Sequence, residues 1–284
     1  MIKNPIIGII GGTGLMGKWF RLFFEKKGYK VLVSGMDTEL SVEECAKQSD
    51  MVIISVPIDV TVEVIKKVAP LVKKEGLLMD VTSLKVEPIK AMMKYSKCSI
   101  FGTHPVFGPG VKKMQNQKIV LCPGRGKKWQ NWFEKIMIEE GAKIMISTPS
   151  EHDKMMSVIQ GVMHFSSITI SHVLKEMKID IIESQKYSSP IYKLRMDMVG
   201  RILNQDPKLY ADIEILNPKT LKALKTYLKT SKKLYNIIKE KDKVAFINYF
   251  SEAANYLGDF TQEAEDYSNY LIDKLVYKKP LKRE

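Results

Sequence analysis

Cysteine is scarce: Cys45, Cys98 and Cys122 are the only three in 284 residues, far apart and without CxxC spacing. A disulfide-stapled scaffold and a cysteine knuckle are thereby excluded, and three reduced thiols in a cytoplasmic protein are expected. Histidine is nearly as sparse: His104, His152, His164 and His172 show no HxxxH pairing, so no metal is expected. Long apolar runs are missing too. Residues 51–58, MVIISVPI, fall well short of the roughly 20 apolar residues that cross a bilayer. The N-terminus runs into an apolar segment ending in glycines with no small-residue cleavage site, so neither a signal peptide nor a membrane partner is expected. Arginine is the last scarcity, with Arg21, Arg125, Arg195, Arg201 and Arg283 standing among 45 Lys+Arg residues. The net charge of +13 raises nucleic acid as a partner. Its lysines are spread along the chain with no basic block interleaved with aromatics, so no nucleic-acid partner is expected. A solvated lysine surface is the reading, and its field favours a small polyanion.

What is present suffices for a core. Hydrophobic residues make up 45% and charged residues 27%, an ordinary globular balance that excludes a disordered or collagen-like chain. The length fits one large or two modest domains. Short apolar runs alternate with amphipathic stretches in the first half, the pattern of βαβ units and a parallel sheet. Strands are expected at 5–10, 30–34, 51–56, 77–81, 99–102, 117–122 and 142–147. Helices are expected at 15–27, 41–48 (opened by Ser41 with Glu44 in capping-box spacing), 60–73, 85–95 and 129–140. After Pro149 the texture becomes helical, at roughly 151–177, 180–204, 207–215, 218–239 and 242–277. The expected fold class is α/β: a doubly wound, mostly parallel Rossmann-type sheet in residues 1–149, followed by an all-helical substrate and dimerisation domain in 150–284. Residues 278–284 read as a frayed basic end. The apolar positions Val244, Phe246, Ile247, Phe250, Ala254, Leu257, Phe260, Leu271 and Leu275 exceed one narrow stripe. Either a second copy covers them, giving a homodimer through the helical domain, or the chain packs them internally.

Residues 6–17 read IIGIIGGTGLMG. Gly12, Gly14 and Gly17 form GxGxxG between an expected strand and an expected helix, the setting in which helix N–H groups hold a pyrophosphate. Gly12 would permit the tight turn, Gly14 the approach of backbone to phosphate, and Gly17 close helix–strand packing. Thr13, Leu15 and Met16 complete the cradle, and Val56 and Pro57, after the third strand, would line its nicotinamide side. Asp37 lies 20 residues beyond Gly17, where a carboxylate bonds the ribose 2′-hydroxyl and repels a 2′-phosphate. Ser34 could instead accept that phosphate, although no arginine stands beside it. NAD is therefore favoured, with NADP the alternative.

Ligands in open α/β sheets bind beyond the carboxyl ends of the strands, where DVTSLK (80–85) and GTHPVFGP (102–109) fall. His104, read as lying in a short Gly/Pro-rich loop, either accepts a proton from an alcohol as hydride leaves or bonds loop backbone. Ser83 either supports His104 or caps the helix at 85–95. Gln160, His164, Ser167 and Ser171 make a polar stripe at i, i+4, i+7 and i+11 on an apolar helix. That stripe is expected to line a cleft, because the opposite faces are too apolar for exposure. Arg201 emerges from an apolar context and pairs with either an internal carboxylate or a substrate carboxylate.

Together, GGTGLMGKW (11–19), DVTSLK, GTHPVFGP, EHDKMMSVIQGVMHF (151–165) and RILNQDPKLYADI (201–213) resemble the prephenate/arogenate dehydrogenase family of tyrosine biosynthesis, in the order and spacing of its compact archaeal-type members. The resemblance spans nearly the whole chain. It implies NAD(P)-dependent oxidative decarboxylation of prephenate, a dianion, to 4-hydroxyphenylpyruvate, in a dimer formed through the helical domain. It also implies that His104 and Ser83 act on the ring 4-hydroxyl, that Arg201 holds a substrate carboxylate, and that His164, with Gln160 beside it, contacts the side-chain end. YKLRMDMVGR before Arg201, and Tyr210 where some relatives carry tryptophan, depart from the pattern and leave prephenate versus arogenate open. A β-hydroxyacid dehydrogenase would place a catalytic lysine where QGVMHF stands. A non-catalytic dinucleotide-binding protein would need neither His104 nor Arg201.

Overall fold

The computed structural model describes residues 2–276. Seven strands form one sheet: β1 (Ile7–Ile10), β2 (Val31–Ser34), β3 (Met51–Ile54), β4 (Leu77–Asp80), β5 (Ser99–Pro105), β6 (Lys118–Arg125) and β7 (Lys143–Ile146). The spatial order is β2-β1-β3-β4-β5-β6-β7. The first five are parallel, β6 runs antiparallel to β5, and β7 is parallel to β6. β1, β3 and β4 are buried at every position, as continuous apolar runs must be when helices cover both faces of a sheet. On one face α1 (Leu15–Lys26) and α5 (Lys127–Glu139) contribute Phe20, Phe24, Trp129 and Phe133. On the other, α2 (Val42–Gln48), α3 (Ile58–Val68) and α4 (Val86–Tyr95) contribute Cys45, Ile65, Val68 and Met92. This is the doubly wound Rossmann-type plan. Ser41 and Glu44 close the capping box at α2. Burial pushes the Cys45 thiol up to about 11 and the Cys122 thiol up to about 12, so both stay protonated and inert.

β5 extends past the expected end at Gly102, because Thr103, His104 and Pro105 pair with Leu121, Val120 and Ile119 of β6. Composition at GTHP gives no hint of that pairing.

The helical region comprises α6 (Pro149–Met156), a π turn (Ser157–Val162), α7 (Met163–Glu176), α8 (Ile181–Lys186), α9 (Pro190–Leu203), α10 (Pro207–Leu216), α11 (Thr220–Lys239), α12 (Lys243–Leu257) and α13 (Phe260–Val276). Two helices expected to be continuous are broken. Pro190 starts a new helix with Ser189 accepting the Tyr192 N–H, the N-terminal use of proline. Gly258, at φ 56°, ends α12 in the left-handed region that favours glycine.

The chain divides into two compact units. One takes residues up to Ile159 together with Ala211–Lys219; the other takes Gln160–Tyr210 and the chain from Thr220 onward. The sheet does end before residue 149, yet α6 and the 211–219 segment belong with it. Asn217 Nδ2 donates to the Asp153 carbonyl at 2.8 Å, and Ile213 packs with Ile58 and Leu84. The compact units thus part at 159/160, ten residues beyond the expected boundary at 149/150.

Among the described residues, Val199 is the one large apolar side chain of the second unit that is buried. Val244, Ile247 and Phe250 are 70%, 62% and 66% exposed, and Phe246, Leu257, Phe260 and Leu271 are exposed as well. Internal packing is therefore not what covers these positions. The side chain of Leu275 and the basic end 278–284 lie outside the described residues. No described helix is long and apolar enough to cross a membrane.

Candidate functional site

In the first unit the strand order reverses between β1 and β3, and ligands of open α/β sheets enter the crevice at such a point. The glycine turn sits there. Gly11 and Gly12 N–H both donate to the Ser34 carbonyl, at 2.7 and 3.2 Å. The left-handed conformation belongs to Gly11 (φ +83°), and a Cβ there would lie 2.3 Å from the Ser55 carbonyl oxygen. The tight turn thus rests on Gly11, which the GxGxxG reading passed over. Gly12 is required for a different reason, since its Cβ would meet Val33 at 2.7 Å. Gly17 does what its spacing implied: a Cβ would lie 2.3 Å from the Gly11 carbonyl oxygen, so α1 packs directly on the turn. Gly14 is exposed and precedes α1, whose first turn carries no acidic residue and no side-chain cap. Its N–H groups and dipole thus remain available to an anion.

Thr13 is exposed beside Gly35, Leu15 is 73% exposed, and Met16 packs on the core. Val56 sits 3.0 Å from the Cβ position of Gly11, and exposed Pro57 precedes α3. Asp37 is exposed in the turn after β2, while the Ser34 hydroxyl donates to the Leu40 carbonyl at 2.8 Å. These residues fit a dinucleotide.

His104 is a strand residue, not a loop residue: it is the penultimate position of β5 and only 5% exposed. Its Nδ1 lies 2.9 Å from Nε2 of His152, and His152 Nδ1 lies 2.7 Å from the Asp153 carboxylate. Asp153 accepts the Lys85 N–H at 2.8 Å and the Val86 N–H at 3.0 Å, which caps α4. The Lys85 ammonium is fully buried against the Asp80 carboxylate and donates to the Thr103 carbonyl at 2.8 Å. Burial, followed by the charges of His152 and Lys85, holds His104 well below the ordinary imidazole range. Ser83 is partly exposed, and no hydrogen bond joins it to His104 among the described residues. The α4 cap expected of Ser83 is supplied by Asp153. His152, Asp153, Lys85 and Asp80 are the residues that sequence reasoning missed.

In the second unit, Gln160 lies in the π turn, a distortion frequent at functional sites, with its Oε1 buried and unpartnered among the described residues. The His164 ring lies tilted against Tyr210, with centroids 4.5 Å apart and the ring planes at 47°. Burial raises the Tyr210 phenol, and the nearby Arg201 opposes that shift. Arg201 is exposed in the last turn of α9 and makes no ion pair among the described residues. His164, Tyr210 and Arg201 thus gather. Ser167 and Ser171 do not join them, because their hydroxyls donate to the Met163 and Ser167 carbonyls of their own helix. Of the apolar positions expected to be covered, Ile159 and Met163 are 48% and 56% exposed, whereas Met156 is buried and Val162, Ile168 and Ile170 are half-buried.

Comparison with known proteins decides the family. Residues 23–146 match the nucleotide-binding domain of prephenate dehydrogenase, and residues 148–252 match its dimerization domain. The chain belongs to the prephenate dehydrogenase family. A probable arogenate/prephenate dehydrogenase of Methanocaldococcus jannaschii is 40% identical, over 96% of this chain and 65% of that protein. The T-protein of Haemophilus influenzae is 32% identical, over 94% of this chain and 71% of its own length. The chain thus spans about two thirds of these relatives. Among solved structures, the prephenate dehydrogenase of A. aeolicus in complex with hydroxyphenyl propionate and NAD+ superposes with TM-score 0.71 at 19% identity, covering 89% of this chain and 96% of that one. The Synechocystis arogenate dehydrogenase gives 0.68 at 18%, covering 92% and 99%. Both share the prephenate dehydrogenase fold seen here.

Proposed function

We propose that this protein is a NAD-dependent prephenate dehydrogenase of tyrosine biosynthesis, converting prephenate to 4-hydroxyphenylpyruvate. The observation that carries the reading is a buried, low-pKa histidine at the carboxyl end of β5, in a chain of this family with an open glycine cradle. When bound, NAD supplies the hydride acceptor for the hydroxyl-bearing ring carbon. His104 accepts the hydroxyl proton, and the dienone so formed loses CO₂ and becomes aromatic. The protein need only align, take one proton and hold charge. Ser83 touches the same hydroxyl, Arg201 holds a carboxylate, and His164 and Gln160 meet the side-chain end. NAD is preferred to NADP because Asp37 repels a 2′-phosphate and the Ser34 hydroxyl is engaged by Leu40. The net charge of +13 favours the prephenate dianion over arogenate, which carries an additional ammonium group.

Absorbance at 340 nm, with prephenate and arogenate each offered NAD and NADP, tests this: the fastest turnover is expected with prephenate and NAD. Faster turnover of arogenate would reverse the substrate assignment, and no turnover of either would end it. Arg201→Gln is expected to raise KM for prephenate by about 10–10²-fold with kcat little changed, the pattern of a lost charge-assisted contact made alike in ground and transition states.

The exposed apolar face of α12 and α13 supports a homodimer through the helical unit. Sedimentation velocity should give one species at twice the 32.5 kDa chain mass; a clean monomer would refute the dimer.

A further inference from the structure

We infer that Asp153 and His152 are positioning residues that set the tautomer of His104, leaving its Nε2 bare to take the substrate proton and providing a second seat for that proton. The role rests on the functional reading above; the tautomer itself does not.

Donors and acceptors along this chain of side chains can be matched in one way. The Asp153 carboxylate can only accept, and it already accepts two backbone N–H groups of the α4 N-terminus, from Lys85 and Val86. Its remaining neighbour, His152 Nδ1 at 2.7 Å, must therefore carry a hydrogen and donate. A neutral His152 with hydrogen on Nδ1 has none on Nε2, which can then only accept. The group facing it at 2.9 Å is His104 Nδ1, so His104 donates from Nδ1. Neutral His104 then has an unprotonated Nε2, the form that a general base needs. The opposite tautomer would set two bare nitrogens against each other in a buried place.

The same chain gives the proton somewhere to go. The hydroxyl proton arrives at His104 Nε2, the His104 Nδ1 proton crosses to His152 Nε2, and His152 becomes an imidazolium beside the Asp153 carboxylate. One proton enters, one moves, and the positive charge ends next to a negative one. The groups facing this chain are Lys85 and Asp80, from before α4 and from β4, with the Cys122 thiol on β6. Lys85 disfavours charge on His104, and the Asp153 carboxylate stands next to the ring that receives it.

Long-range ¹H–¹⁵N spectra of ¹⁵N-histidine-labelled enzyme test the assignment, with His104 identified by the signals lost in His104→Gln. At pH 8 the expected pattern is hydrogen on Nδ1 and a bare Nε2. Asp153→Ala, which removes the acceptor that holds hydrogen on His152 Nδ1, is expected to remove the His104 preference for hydrogen on Nδ1 and lower kcat by about 10–10²-fold while KM stays within about threefold. If Asp153→Ala fails to fold, His152→Leu serves, removing the acceptor that faces His104 Nδ1 and with it the preference. Hydrogen on His104 Nε2 in the wild type, or a tautomer unchanged in either variant, overturns the inference. The expected tautomer without turnover of prephenate or arogenate overturns the functional reading alone.

Discussion

His104→Asn is expected to lower kcat by about 10²–10⁴-fold, the range for removing a positioned general base, equivalent to about 3–5 kcal/mol in the barrier. Asparagine is the informative replacement. Its amide can take the place of Nδ1 and donate to His152 Nε2, keeping the buried contact, while the position of Nε2 is left without a base. KM should therefore change little, and the loss should fall on kcat, the signature of an interaction made in the transition state. The wild-type pH profile belongs to the same expectation. A base works only unprotonated, and burial together with the charges of His152 and Lys85 lowers the His104 pKa below 6.5. The acid limb of kcat/KM should accordingly lie below pH 6.5, and His104→Asn should abolish it. Initial rates between pH 5 and 9 measure both; undiminished kcat in the variant would remove His104 from the chemistry.

The distance between sequence and structure is uneven, and the unevenness has physical causes. IGII, MVII and LLMD are legible as buried strands because a sheet covered on both faces demands unbroken apolarity. The glycine turn is legible because few other needs put three glycines at that spacing between a strand and a helix. The neighbouring Gly11 is not, since only the φ angle tells which member of a Gly-Gly pair bears the turn. Pro190 and Gly258 are visible breaks that helical periodicity on either side conceals. His152 is the instructive omission. It stands 48 residues from His104, and its role comes from β7 ending, across β6, level with Thr103 of β5, so that α6 begins nearby, a tertiary fact with no local trace. The apolar positions of α12 and α13 are legible as unusual, but only the structure shows that internal packing leaves them exposed.

Lys85→Met is expected to destabilise the first unit by about 3–5 kcal/mol, the range for removing one partner of a buried ion pair. Both side chains of the pair are wholly buried, and Asp80 keeps only the Thr82 N–H and hydroxyl, at 3.1 and 2.6 Å, once the ammonium is gone. Its Oδ1 already lacks a hydrogen-bond partner among the described residues, so the stranded charge has nothing further to turn to. Methionine fills the volume of the lysine stem, which separates lost charge from lost packing. The melting temperature should fall by about 10 °C. Adding Asp80→Asn should recover more than half of that fall, because the stranded charge, not the missing bond, is the larger cost. Lys85 also donates to the Thr103 carbonyl, one residue before His104. Removing its positive charge makes His104 easier to protonate, so the acid limb of activity should move upward in pH. A single substitution thus ties the fold to the chemistry: calorimetry should show the first effect and the pH–rate profile the second. A variant melting within about 2 °C of wild type with an unmoved acid limb would show that the pair neither holds the sheet nor tunes the base.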